Sequence, residues 1–324
     1  MSDSDTLASV GESAALRRIF PRLPDSDATI LGPGDDAAVI TAADGRFVVT
    51  TDMMIHGPDF RLAWSSPYDL GWKAAASNLS DVAAMGAVPT ALVVALALPG
   101  ATPVTVLESI ADGLREACAA LAPGCGVVGG DLSVSPTMTF AVTAFGDLEG
   151  RAPVVRSGAR VGDVVAVSGP LGAAAEGLRV LFAEGADEAG KPDATRAAAV
   201  ADRTLAQRRP APPIADGVLA ALAGATAMLD LSDGLAKDAA RVAEASGVSL
   251  DFEASALGED PALALGGAED HSLLATFPRD IPLPGGFRRV GTVVARTEAP
   301  VLLDGAPHDA RGWDPYAGWS GELG

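Results

Sequence analysis

Residues 66–89, SPYDLGWKAAASNLSDVAAMGAVP, constrain this chain more than any other stretch, because they specify a helix with both ends marked and one acid in an unusual place. Ser66 suits the N-cap, Pro67 the first helical position and Asp69 the first turn, while Gly86 and Pro89 stop the helix. At about 100° per residue, Trp72, Ala75, Ala76, Leu79, Val82 and Ala83 share one arc, and Lys73, Ser77, Asn78 and Asp81 share the other. The polar arc is narrow, and alanines on its edges let other backbone come close. It is therefore predicted to face a polar cleft rather than open water, with Asp81 the helix's only acid beyond its first turn.

A chain of 324 residues is long for one core, and domains of about 150 residues predict two. We place the boundary in the glycine- and charge-rich stretch from Gly146 to Arg151, giving units 1–148 and 149–324. With 48% hydrophobic and 20% charged residues, the chain can fold without disulfides or structural metals. A net charge of -19 argues against nucleic-acid or anionic-membrane partners, which need a basic footprint. Cys118 and Cys125 are too few for a disulfide framework and lack a zinc pattern, as expected of a reduced cytoplasmic protein. The start, MSDSDTLASV, shows neither the basic nor the apolar part of a signal peptide. The apolar run Ala91–Leu98 is too short to span a bilayer and fits a buried strand.

Along the chain, a short helix is expected at Glu12–Phe20, a glycine-rich turn at Gly32-Pro33-Gly34-Asp35-Asp36, and a strand from Phe47 to Thr51 that stops at Asp52. A helix over Val104–Leu121 and a strand over Met138–Phe145 flank a glycine turn at Gly129-Gly130-Asp131. Further on we read a strand at Val164–Ser168, a turn at Gly169–Gly172 and a helix from Ala173. A hydrophilic loop at Glu184–Ala194 leads to a helix over Thr195–Arg208. A strand ending at Asp230 precedes a helix capped by Ser232 and terminated by Gly247, and strands follow at Arg288–Ala295 and Val301–Leu303.

Asp35, Asp36, Asp52, Asp81, Asp131, Asp230 and Asp233 each sit at a turn, a strand end or a helix start beside apolar sequence. One such acid is usually a cap or a turn former. If several converge, each pair repels by about 3 to 4 kcal/mol at roughly 4 to 6 Å with an effective dielectric near 20, so cations must hold them together. Carboxylates with Thr50, Thr51 and Ser232 are hard oxygen ligands that suit Mg²⁺ or Ca²⁺, and the calcium-loop pattern is absent. Protein-bound Mg²⁺ commonly shares its shell with substrate phosphates, which brings in a nucleotide. Walker, protein-kinase and dinucleotide-binding motifs are all missing, and the only lysines are Lys73, Lys191 and Lys237. Phosphate charge would then fall to metal ions, the amides of Gly129 and Gly130, the helix start at Ser232, and Arg156.

The motifs Gly-x-Gly-Asp-Asp at 32–36, Thr-Thr-Asp at 50–52, Asn-Leu-Ser-Asp-x-Ala-Ala-Met-Gly-Ala at 78–87, Gly-Gly-Asp at 129–131, Arg-Ser-Gly at 156–158, Asp-Leu-Ser-Asp-Gly-Leu at 230–235 and Gly-x-Glu-Asp at 267–270 stand in the order seen in thiamine-monophosphate kinases, which the chain resembles from about Leu31 to Trp313. The resemblance implies ATP-dependent phosphorylation of thiamine monophosphate to thiamine diphosphate. It also implies the two-domain α/β (α+β) fold of the aminoimidazole ribonucleotide synthetase superfamily, in which N-terminal domains pair into a β-barrel across a homodimer and C-terminal α/β domains complete the sites. Carried over by motif, Asp36, Thr50, Thr51, Asp52, Asp81, Asp131, Asp230 and Asp233 would hold magnesium, with Asp81, Asp131 and Asp230 central to catalysis. Gly130, Asp131, Arg156 and Ser232 would meet ATP, and Asp59, Glu269 and Trp313 the thiamine end. An aromatic face among carboxylates suits a thiazolium, which is a permanent cation.

Two positions depart from the family pattern: Ala268 follows the two glycines of the last motif, and His271 stands where an aromatic is usual. No aromatic precedes Gly129 within 120–128. The expected chemistry is direct in-line transfer without a covalent enzyme intermediate, since the acceptor phosphate already carries an anionic oxygen. The competing readings are another ATP-using member of the superfamily, such as a selenophosphate or aminoimidazole ribonucleotide synthetase, and a catalytically silent nucleotide- or metal-binding scaffold.

Overall fold

The computed structural model describes residues 5–10, 12–31 and 39–313. In chain order, α1 (Leu7–Val10), α2 (Glu12–Ile19) and the antiparallel pair β1 (Thr29–Leu31) and β2 (Val39–Ile40) precede β3 (Val48–Ile55) and α3 (Pro67–Ala84). With β4 (Val88–Leu98), α4 (Val104–Leu121), β5 (Gly126–Val134) and β6 (Thr139–Asp147), they build a four-stranded sheet ordered β3-β6-β4-β5. The second half opens with β7 (Val164–Ser168), α5 (Ala173–Glu184), α6 (Ala194–Ala199), α7 (Leu205–Arg208) and α8 (Ile214–Leu222). It continues with β8 (Ala227–Leu231), α9 (Leu235–Ser246), β9 (Val248–Phe252), α10 (Pro261–Gly266) and β10 (Ser272–Phe277), and then β11 (Arg288–Ala295), β12 (Val301–Leu303) and β13 (Ala306–Pro307). Its strands form a second sheet ordered β13-β12-β9-β11-β7-β10-β8, antiparallel except where β12 joins β9. The architecture is mixed α/β.

Helix α3 organises the molecule. Ser66 and Asp69 form a reciprocal capping box at its start, and the Asp69 carboxylate, 1% exposed, also receives Arg208 at 2.9 Å and Arg209. Glycines let neighbouring backbones close on the helix. A Cβ on Gly71 would stand 2.1 Å from the Ile110 carbonyl oxygen of α4, and one on Gly217 of α8 would stand 2.1 Å from that of Ala83. One side of α3 lies on the small sheet and the other meets β8 and β10. One apolar cluster therefore runs from Leu79, Val82 and Leu92 through to Met228, Leu273 and Phe277. Each leucine buried as fully as Leu79 contributes about 1.5–3 kcal/mol. A second cluster covers the far face of the large sheet, where Val165, Leu229 and Leu250 meet Leu235, Ala239 and Val242 of α9.

The small sheet is one-sided. Leu92, Val94, Val142 and Ala144 are buried beneath the helices, whereas the opposite face carries Val49 and Met53, both more than half exposed, beside the half-buried Ala141, Phe145, Val93 and Ala95. Among the described residues this sheet does not close on itself, since β3 and β5 are its two edges.

Several expectations need correction. Strand β3 does not stop at Asp52, because its pairing with β6 continues to Ile55 opposite Thr139. Gly129 and Gly130 form no turn: they lie within β5 at a register shift against β4, where a Cβ on Gly130 would stand 2.0 Å from the Val94 carbonyl oxygen. Ser232 does not cap α9; Gly234, at φ 112°, does, without a side-chain bond, and Gly247 ends the helix in the left-handed conformation as read. The helix expected over Thr195–Arg208 is broken into α6, a 3₁₀ turn at Asp202–Thr204, and α7. Strands β9 and β10 and helix α8 were not anticipated.

Candidate active site

The polar arc of α3 is buried as expected: Lys73, Ser77 and Asn78 are all under 7% exposed, and Asp81 is half-buried. Strand alternation aims Thr50 and Asp52 of β3 at the same side, where the Thr50 hydroxyl donates to Asp81 Oδ2 at 2.8 Å. From the large sheet, Asp230 at the end of β8 accepts the Ser80 hydroxyl at 3.0 Å. Three acids from distant parts of the chain thus approach one another across α3.

Their electrostatics record the crowding. Burial, and next the Asp230 carboxylate, push Asp81 up to about 7 even though Thr50 and His271 pull the other way. Asp52 keeps an accessible edge, yet partial desolvation by the protein around it raises its pKa, with Asp230 and Asp233 adding to the effect. His271 Nδ1 stands 3.3 Å from Asp230 Oδ2 and 3.4 Å from Ser80 Oγ. Burial alone would lower the imidazole's pKa, but Asp230 holds it above the ordinary value. Asp233 is paired with Arg241 at 2.6 Å and Lys237 at 3.2 Å. Behind it Asp238, fully buried, is pushed up to about 7, first by burial and then by Asp230.

Residues 230–233 also anchor the neighbouring segments. The Glu269 and His271 amides donate to the Ser232 and Leu231 carbonyls, and the Trp313 amide to that of Asp233, each at 2.9 Å. Glu269 and His271 hold left-handed backbone, φ 68° and 53°, so this crossing is tightly determined. Asp270 between them accepts the Ala174 amide at 2.8 Å and that of Gly172. The start of α5 is therefore already filled by a carboxylate, and the Gly169–Gly172 turn is the plain connection expected.

Beside the acids opens a cavity of about 250 Å³, with Asp59, Phe60, Arg61, Trp64, Phe182 and Gln207 in its wall together with Glu269 and Trp313. All three residues assigned to the thiamine end by motif therefore share one cavity. Lys73, 4% exposed, reaches from α3 to Glu269 Oε1 at 2.6 Å. Burial raises Asp59, and Glu269 and Asp52 reinforce the shift, which ties the cavity electrostatically to the acid cluster.

Other assigned residues are not brought there within one chain. Thr51 donates its hydroxyl to the Val142 carbonyl at 3.0 Å on the open face of the sheet. Asp131 shares a row with Ala95, Ala141 and Met53, which sets it on that open face, opposite to Asp52. Arg156 is exposed, and its only hydrogen bond among the described residues is from the Ser246 hydroxyl to its carbonyl, at 3.1 Å. Asp36 lies outside the described residues. Among those described, no three acids stand ready-made as a metal cage. Sequence reading passed over Arg61, Trp64, Phe182, Gln207 and Asp238; the first two lie just ahead of α3, but nothing local marked them.

The sequence pattern of the AIR synthase related protein N-terminal domain matches residues 34–148. The thiamine-monophosphate kinase of Mycobacterium tuberculosis is 42% identical over 333 aligned positions, spanning 98% of this chain and 93% of that protein. The chain belongs to the thiamine-monophosphate kinase family. The kinase of Corynebacterium glutamicum is 35% identical over 98% of this chain and 96% of its own. Among solved structures, the thiamine-monophosphate kinase of Stenotrophomonas maltophilia superposes with a TM-score of 0.75 at 32% identity, covering 91% of this chain and 97% of that one. AaThiL complexed with AMPPCP and TMP gives 0.72 at 30% identity, covering 86% and 90%. Hydrogenase maturation protein HypE shares the fold alone, at a TM-score of 0.67 and 19% identity.

Proposed function

We propose that this chain transfers the γ-phosphoryl group of ATP directly to the phosphate of thiamine monophosphate, forming thiamine diphosphate in the cytoplasm. The observation that carries the reading is the junction of an acid cluster, Asp52, Asp81 and Asp230, with an aromatic cavity that holds Asp59, Glu269 and Trp313. Carboxylates whose protonation is favoured by burial and mutual repulsion are a donor set that divalent cations suit, and the oxygen-only chemistry fits magnesium. Asp36, Thr50, Thr51, Asp52, Asp81, Asp131, Asp230 and Asp233 would hold it. Bound there, magnesium would screen repulsion between the two anions and stabilise charge on the phosphoryl group in flight.

The chain's own groups do the positioning. Thr50 and Ser80 orient the Asp81 and Asp230 carboxylates, and Lys73 fixes Glu269 in the cavity wall. Asp59 and Glu269 favour the thiazolium, with Trp313 as an aromatic surface for it. Gly130, Asp131, Arg156 and Ser232 are assigned to ATP. No enzyme nucleophile is needed, because an anionic oxygen of the acceptor phosphate itself attacks the γ-phosphorus as the bond to the ADP oxygen breaks.

A second copy completes the assembly. The apolar open face of the small sheet and its two free edges support a homodimer in which the sheets of the two N-terminal units (1–148) close into one barrel, with the 149–324 units outside. Edge pairing of β3 with the partner's β5 would bring Asp131 and Thr51 of different chains together on its inner side. Purified protein given ATP, magnesium and thiamine monophosphate should form thiamine diphosphate and ADP in equal amounts. ATP hydrolysis without thiamine diphosphate would instead favour another superfamily reaction.

A further inference from the structure

The cavity wall carries two chemically distinct groups. Asp59 and Glu269 interact with each other and with Lys73 behind them, and Asp59 also with Asp52 of the acid cluster. The second group is built on Arg61, whose guanidinium carbon lies 5.1 Å from the Trp64 ring centre and 5.6 Å from that of Phe182. Those rings meet edge to face at 4.9 Å, and the Trp64 indole is pinned by a 2.8 Å bond to the Gly185 carbonyl. The guanidinium is thus held in place by aromatic faces while its side chain makes no ion pair or hydrogen bond among the described residues. A stacked guanidinium keeps its in-plane N–H donors available at its rim. Gln207, 5% exposed, lines the same cavity; its Nε2 faces Glu269 at 3.5 Å, and its Oε1 has no partner among the described residues.

We propose that Arg61 is a specificity-determining residue that recognises the aminopyrimidine ring of the substrate. This inference rests on the cavity being the thiamine end of the site. The phosphate must point toward the acid cluster and the thiazolium suits Asp59 and Glu269, which leaves the neutral heterocycle for the Arg61, Trp64 and Phe182 group. An aminopyrimidine presents ring-nitrogen acceptors and an amine donor. Arg61 supplies the fork of donors, and Trp64 and Phe182 supply flat apolar walls.

Arg61→Met keeps the stem packed on Trp64 and Phe182 and removes only the donors. Its KM and calorimetric Kd for thiamine monophosphate should rise about tenfold or more, with kcat falling less than about twofold, as expected when binding shared by ground and transition states is lost. The companion measurement uses the two thiamine monophosphate analogues in which one pyrimidine nitrogen is replaced by C–H. Wild type should lose about tenfold in Kd with at least one of them, and Arg61→Met should lose little further. Equal penalties in both proteins, or an unchanged Kd for thiamine monophosphate in Arg61→Met, would overturn the role of Arg61 while leaving the kinase reading intact. Failure of the wild-type protein to bind or phosphorylate thiamine monophosphate would overturn both.

Discussion

Asp81 is half-buried among other acids, and its character follows from that position. A carboxylate pushed up to about 7 by burial and by Asp230 is poorly stabilised without a counter-ion. With chelator present, Asp81→Asn should therefore melt at or above the wild-type temperature. Magnesium with ATP should raise the wild-type midpoint by several degrees and the variant's by clearly less, as linkage to a native-state ligand requires. Turnover should fall by about 100-fold or more, the scale typical when a charge-stabilising group is lost. A variant that matched wild type in both respects at low magnesium would remove Asp81 from the site. The sequence made this acid conspicuous, because it is the only one beyond the first turn of an alanine-rich helix. It could not reveal that His271, a departure from the family pattern, would lie 3.3 Å from Asp230, since nothing local pairs residues 41 positions apart. Arg61 was missed for a similar reason: an arginine ahead of a tryptophan is ordinary until Phe182 arrives from another helix.

Among the elements, α3 depends on Asp69. Burial would raise its carboxyl, but the Arg209, Ser66 and Arg208 groups outweigh that and hold it below the usual carboxylate range. An acid held low by its folded partners stabilises the protein above its unfolded pKa, near about 4, and that stability is lost as pH falls through the lower folded value. Asp69→Asn should cost about 3 kcal/mol near neutral pH, from strained capping and two guanidinium groups left unpaired. Its melting temperature should also fall less than that of wild type between about pH 4 and pH 2, because the titrating group is gone. Parallel acid melts of the two proteins would contradict this. Elements with chemically marked ends were legible: α4 runs Val104–Leu121, β7 Val164–Ser168 and β11 Arg288–Ala295, as read. Strands β9 and β10 were not, because Ser249, Asp251, Ser272 and Thr276 interrupt their apolar runs and their identity is fixed by pairing with distant β11, β7 and β8. The break in Thr195–Arg208 was equally hidden, in a stretch with no proline or glycine before Pro210.

For the molecule as a whole, the open face of the small sheet makes association testable by complementation. If Asp131 serves the site of its partner, Asp81→Asn and Asp131→Asn chains should each be inactive alone. Unfolded together and refolded, they should recover about a quarter of wild-type activity, since half the dimers are mixed and one site in each is intact. Recovery at background level would mean that each chain builds its site by itself. What the sequence made legible was a composition break near residues 146–151, which falls at the end of β6 and ahead of β7. The continuous core was not, because it depends on α3 being apolar toward both sheets at once.

Helix α3 has almost no solvent-facing side, so it cannot swing out while the rest of the chain stays folded. Fluctuations that disorder Asp81 must prise apart both halves of the molecule. The protein should then lack partly melted forms that keep structure but have lost their pocket, and the fraction of molecules able to work at any temperature should equal the fraction that are native.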